Sequence, residues 1–143
     1  MKKLIIHGCE ERGDKSFPYL TRWILFRINE WFAIYFHKFH RSDAEDLHDH
    51  PWDFITIILW RGYNEVTFDK NIFNYGKDIR ITKRKYPGFI LFRKAEHSHR
   101  VELINNKPAY TLVFRFKKRR DWLFWFSERS GMNFLEYFKI FGC

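Results

Sequence analysis

Two cysteines, four prolines and seven glycines among 143 residues leave little material for a disulfide framework, a proline-rich segment or a low-complexity linker. Cys9 and Cys143 stand near opposite ends, and neither sits in a CxxC or other ligand spacing. Free thiols in a reducing compartment are therefore the expectation, with a bridge between the two ends as the alternative. Long apolar runs are also missing, because charge interrupts every hydrophobic stretch before it could span a bilayer. The opening Met1-Lys2-Lys3-Leu4-Ile5-Ile6-His7 is too short for a secretory signal and turns polar at Glu10-Glu11-Arg12. These absences predict a cytoplasmic protein with no membrane contact. Acidic residues are in the minority, 17 against 26 Lys and Arg, and the formal charge of +9 favours anionic partners.

Aromatic residues are abundant: they form 21% of the chain, with 17 Phe and 6 Trp, more than an ordinary core requires. An aromatic-lined pocket or a large buried interface would use them, and a homodimer is expected. The length fits one domain over residues 1–143 with room for a real core. Strand-type runs dominate: Lys3 to His7, Leu20 to Ile28, Phe32 to His40, Phe54 to Leu59, Tyr63 to Phe68, Asp78 to Lys83, Gly88 to Arg93, His99 to Ile104 and Tyr110 to Lys117. Turn formers separate them, among them Trp60-Arg61-Gly62 and Tyr86-Pro87-Gly88. Many short strands at this spacing predict an all-β antiparallel barrel or sandwich. The tail from Asp121 to Phe141 reads as a short strand and one helix that covers an open barrel end, or else as a dimer contact.

One segment carries chemistry. In Leu47-His48-Asp49-His50-Pro51-Trp52-Asp53-Phe54, His48 and His50 would share one face of an extended strand, because alternate residues point the same way. A third imidazole from Glu96-His97-Ser98-His99-Arg100-Val101 would complete a facial set. Neutral imidazole suits Zn, Cu, Fe and Ni, and open positions on such a set suit Fe(II) oxygen chemistry. Asp49 would point away from the metal face and orient an imidazole or the backbone. His37 and His40 lie on opposite faces of a regular strand, so one at most faces a pocket, and both read as structural. Asp43 and Asp46 read as turn or capping groups.

The order His48-Asp49-His50, Gly62, Tyr86-Pro87-Gly88, His99 resembles the two motifs of the cupin superfamily over roughly Leu47 to Val113. That resemblance implies a small β-barrel of the double-stranded β-helix or jelly-roll type, here with a short helical or extended C-terminal tail. It implies metal ligation by His48, His50 and His99. His99 is preferred over His97 because the family places an aliphatic residue two positions after the ligand, where Val101 stands. The family's usual carboxylate ligand would fall at Phe54 or Ile55, leaving Asp53 and Glu65 as substitutes. A three-His set without the carboxylate resembles the thiol dioxygenases, whose pocket-wall positions correspond to Thr111, Val113 and Arg115.

The metal expected is Fe(II), with Mn, Ni or Zn as alternatives. Arg115, or Arg41, would anchor a small anionic substrate by its guanidinium fork, with Thr111 on the same face as Arg115. Asp53 joins Arg115 as a candidate catalytic group. The functional expectation is a metal-binding cupin, foremost a non-haem Fe(II) dioxygenase, with isomerase or lyase chemistry next. The alternative is a barrel without turnover that sequesters an anionic, nucleotide-like molecule. A nucleic acid could also bind, through Lys83-Arg84-Lys85 with Arg93-Lys94, or through Lys117-Lys118-Arg119-Arg120.

Overall fold

The computed structural model describes residues 1–8, 17–69, 79–127 and 129–142. Cys9 and Cys143, the turn at Glu10 to Ser16 and the turn at Asn74-Tyr75-Gly76 lie outside the described residues. The strands are β1 (Lys2–His7), β2 (Pro18–Ile28), β3 (Phe32–Phe39), β4 (Leu47–His48), β5 (Phe54–Trp60), β6 (Tyr63–Phe68), β7 (Arg80–Lys85), β8 (Ile90–Arg93), β9 (Arg100–Leu103), β10 (Ala109–Arg115), β11 (Leu123–Ser127) and β12 (Ser130–Asn133), followed by helix α1 (Phe134–Phe141). A six-stranded sheet runs β1-β2-β3-β10-β5-β8, and two three-stranded sheets run β12-β11-β4 and β7-β6-β9. Every pairing is antiparallel. The expected all-β architecture is present as three sheets, none of which closes on itself.

Alternation decides what faces inward. β3 and β10 alternate buried and half-buried residues along their whole length, placing Ala33, Tyr35, His37 and Phe39 beside Ala109, Thr111, Val113 and Arg115 on the inner face. Leu20, Phe39, Ile58, Tyr63, Leu91, Val101, Leu103 and Ala109 form the main core cluster. Each large apolar side chain there contributes about 1.5–3 kcal/mol. The opposite face of the six-stranded sheet carries Trp23, Phe36, Tyr110, Phe32 and Phe114, whose rings pack in tilted pairs while remaining half-buried. Edge strand β8 leaves Ile90 68% and Phe92 55% exposed, so part of the aromatic excess lies outside the core.

β5 and β6 are joined by Arg61-Gly62, with φ of 61° and 73°, the pattern of a type I′ hairpin. A Cβ on Gly62 would lie 2.2 Å from the carbonyl oxygen of Lys85, so the turn requires glycine.

The tail departs from the single strand expected. β11 and β12 form a hairpin, and α1 starts at Asn133, whose side chain accepts from the Leu135 amide at 2.9 Å, and ends at Gly142 with φ 68°. Tyr137 is fully buried, stacks on Phe124 with centroids 3.7 Å apart and donates to Asp46 at 2.7 Å. Trp122 and Phe138 thereby come to line the main cavity, so the tail closes one end of the sandwich.

Candidate metal centre

β4 is only two residues long, too short to show periodicity, yet it sets the site. His48 and His99 exchange both backbone hydrogen bonds at 2.9 Å, so their side chains share one face. The amide of His50 donates to the Ala95 carbonyl at 2.9 Å, which holds the third imidazole against the same point. Ring centroids lie 5.0 Å apart for His48–His50, 5.1 Å for His48–His99 and 5.0 Å for His50–His99, a nearly equilateral triangle. Ligand atoms of all three lie within 4.8 Å of one another.

The surrounding groups fix the imidazoles unequally. Nδ1 of His99 is 2.8 Å from Oε2 of Glu65. Arg93 forks onto the same carboxylate at 3.1 and 2.6 Å, and His97 Nε2 lies 3.5 Å away. Burial alone would raise the pKa of Glu65, but hydrogen bonds from His97, His99 and Arg93 outweigh it and hold the carboxyl well below its usual range. An ionised Glu65 accepts the Nδ1 proton of His99 and leaves the Nε2 lone pair to face His48 and His50. Behind His48, Nδ1 lies 3.6 Å from Asp43, whose carboxylate accepts from the Tyr19 hydroxyl and, at 2.7 Å, from the Val101 amide. His50 has its Nδ1 buried without a partner among the described residues. Burial pushes the pKa of His48 down to about 4 and that of His50 well below the usual value. Three imidazoles at one point, two of them kept neutral by burial, fit a transition-metal ion.

Glu65, His97 and His99 also come within ligand distance of one another. Arg93 already occupies both oxygens of Glu65, so this group supports His99 instead of forming a second metal set. Glu65 is therefore not the substitute fourth ligand considered from the sequence. Asp53 is not one either: it accepts from the Ala95 amide and from Arg119, both at 2.7 Å, and is absent from the cavity wall.

The cavity beside the three imidazoles measures about 490 Å³ and is walled by Trp52, Phe54, Val101, Val113, Trp122 and Phe138. Arg115 faces inward as its parity required, but it sits at the end of β10 beyond Tyr35. There it donates to the Tyr35 hydroxyl at 3.1 Å and to the carbonyls of Glu30 and Asn29 at 2.9 and 3.0 Å. That corrects its reading as a substrate anchor, since its donors are taken by the β2–β3 turn. Thr111 does line the cavity. Arg41 lies in an adjoining cavity of about 320 Å³ with Asp43, Asp46 and His48. Asp49 accepts from the Leu123 amide at 2.7 Å, from the Trp125 indole at 3.0 Å and from Arg120 at 3.0 Å; it anchors the tail and orients no imidazole.

Sequence reasoning passed over Arg22, Tyr19 and the supporting role of Asp43, and treated His37 as structural. Arg22, Tyr19 and His37 line the cavity. Arg22 stands opposite His37 in the β2–β3 register, a pairing the alternation of the two strands could have suggested.

No protein-family model matches the sequence, and no curated protein matches it. Solved structures do. The cupin-2 domain protein Rru_A2000 from Rhodospirillum rubrum aligns over 85% of this chain and 72% of its own, at 14% identity and TM-score 0.56. The DMSP lyase DddQ from Ruegeria pomeroyi DSS-3 aligns over 82% of this chain, at 18% identity and TM-score 0.56; this chain spans only 57% of that one. Fe(II)-HppE with an alternative substrate, (S)-1-HPP, aligns over 80% of this chain and 56% of its own, at 12% identity and TM-score 0.56. The likeness to these structures, one of them a cupin-2 domain, shows that the three antiparallel sheets of this chain make a cupin-type fold.

Proposed function

We propose that this protein is a metal-dependent cupin in which His48, His50 and His99 hold one divalent transition metal, iron(II) first and manganese, nickel or zinc after it. The observation that carries this reading is the triangle of three imidazoles at the wall of the main cavity, with Nδ1 of His99 held by Glu65. When bound, such an ion supplies a Lewis acid with open positions, and iron(II) adds oxygen chemistry. The chain supplies the rest. Trp52, Phe54, Trp122 and Phe138 exclude water and shape the space for a small ligand. Glu65 holds a proton on Nδ1 of His99, and Asp43 stands behind His48. Dioxygenation of a small anionic substrate is the first reaction class and lyase or isomerase chemistry the second. The iron named with HppE and the lyase activity named for DddQ, both on this fold, support these classes.

Elemental analysis of protein purified without added metal or a histidine tag tests the site, comparing wild type with His48→Ala and His99→Ala. Near-stoichiometric metal that both variants lose supports the reading, and oxygen-consumption screening of the loaded protein then separates the two reaction classes. Folded wild type that contains no metal and refuses added metal overturns it. A second reading, ligand capture without turnover, is favoured by one observation: the two carboxylates the sequence offered as a fourth ligand, Glu65 and Asp53, are each already engaged by an arginine. Folded protein that binds the ligand but neither takes up metal nor turns the ligand over would favour it.

A further inference from the structure

Arg22, His37 and Thr111 form one row across three neighbouring strands, Arg22 opposite His37 and His37 opposite Thr111. All three line the cavity that holds the imidazole cluster. Nε of Arg22 donates to Nε2 of His37 at 2.9 Å, and the guanidinium lies 4.5 Å from the centroid of the Tyr35 ring. Its two terminal nitrogens have no hydrogen-bond partner among the described residues, and no carboxylate there lies within ion-pair distance of it. The charged and titratable groups around it are His37, His50, Tyr19, Tyr35 and Arg115. Thr111 is fully buried and its hydroxyl has no partner among the described residues.

The two terminal nitrogens of a guanidinium and a buried hydroxyl, unpartnered among the described residues, therefore share one corner of a cavity whose lining also includes Asp43, Thr56 and the histidines. Buried charges and polar groups in proteins are nearly always paired. Arg41 in the adjoining cavity also has its Nε and one terminal nitrogen buried without a partner among the described residues, but Asp43, which lines both cavities, is joined there by Asp46, so an anion would face two carboxylates. His37 acts as acceptor toward Arg22, so its Nε2 carries no proton. Burial, and then Arg22 itself, hold its pKa well below the usual value and keep that acceptor available.

We propose that Arg22, oriented by His37 and flanked by Thr111, is the subsite that receives the oxyanion of a small ligand, a carboxylate or a phosphate monoester. The anion would be gripped by the two terminal nitrogens of the guanidinium, and the rest of the ligand would extend toward His48, His50 and His99. This placement of the reacting end rests on the metal-dependent reading above; the anion subsite itself does not.

The test is calorimetric titration of the full chain with butanoate, butyl phosphate and butanamide, run on chelator-treated and on metal-loaded protein. Wild type is expected to prefer at least one of the two anions over the neutral amide by about tenfold or more, the scale of a charge-assisted hydrogen bond. The anion that binds more tightly identifies carboxylate or phosphate as the native group. Arg22→Met should erase the preference, and Arg22→Gln serves the same purpose should the methionine variant fail to fold. His37→Phe should reduce the preference severalfold, whereas His37→Gln, which keeps an acceptor, should retain it. A role for His37 in packing alone would not move this charge selectivity. Equal binding of amide and anions by wild type overturns the proposal, as does a preference that survives in the neutral variants at position 22. Because the metal-free arm reads the subsite directly, failure of metal binding and failure of anion binding give different results.

Discussion

Glu65 and His99 are joined by a 2.8 Å hydrogen bond between a carboxylate oxygen and Nδ1, while Arg93 grips the same carboxylate from its other side. The glutamate thus holds one imidazole in register for an ion and is itself held by a guanidinium fork.

Glu65→Gln should therefore weaken metal binding more than it weakens the fold's shape. A loss of roughly 10- to 100-fold in metal affinity is expected from removing such a partner. Arg93 would lose its counter-charge, costing about 3 kcal/mol of stability as a broken, largely buried pair. Metal titration and denaturant unfolding measure the two effects separately, and unchanged metal affinity would contradict the role given to Glu65.

The metal-free protein should lose stability in mild acid. Burial lowers the pKa of His48 to about 4, and it lowers those of His37 and His50 as well. Between about pH 6.5, where an unfolded histidine titrates, and pH 4, the unfolded chain binds more protons than the folded one. Stability is thus full above pH 6.5 and falls as pH drops through this window. Urea unfolding of chelator-treated protein at pH 7.5, 6 and 5 should show a declining midpoint, and a flat profile would refute the burial of neutral histidines.

Arg115→Met should destabilise without touching the metal site. The substitution strips donors from the carbonyls of Asn29 and Glu30 and from the Tyr35 hydroxyl. Leaving these acceptors unmet costs about 2–4 kcal/mol in total. Metal content and anion selectivity should match wild type, and a selective loss of ligand binding would return Arg115 to the substrate site.

Asp49→Ala should release the tail. The buried carboxylate is shared by the Leu123 amide, the Trp125 indole and Arg120, so its removal should cost about 3 kcal/mol. Faster limited proteolysis around Arg119 and Arg120 than in wild type is the expected readout. Equal protection would show that aromatic packing of α1 holds the tail without Asp49.

The alternation of β3 and β10, the HxH spacing and the third histidine were legible in the sequence because a two-residue period survives any change in how strands are arranged. What the period cannot reveal is depth along a strand. Arg115 has the inward parity expected of it, yet it lies at the far end of β10, where turn carbonyls claim it. Arg22 and His37 became neighbours only through the β2–β3 register, set by the turn at Asn29-Glu30-Trp31. Glu65 was considered as a ligand because sequence distance cannot distinguish a group facing an ion from one standing behind an imidazole. β4 escaped notice since two residues make no pattern.

The paired backbone bonds of His48 and His99 form a single rung between β4 of one small sheet and the segment entering β9 of the other. An ion held by both side chains would clamp that rung from the side-chain face. The amide protons of these two residues then become reporters of occupancy: their hydrogen exchange should slow on metal loading by more than that of core strand β10, which is already locked between two neighbours.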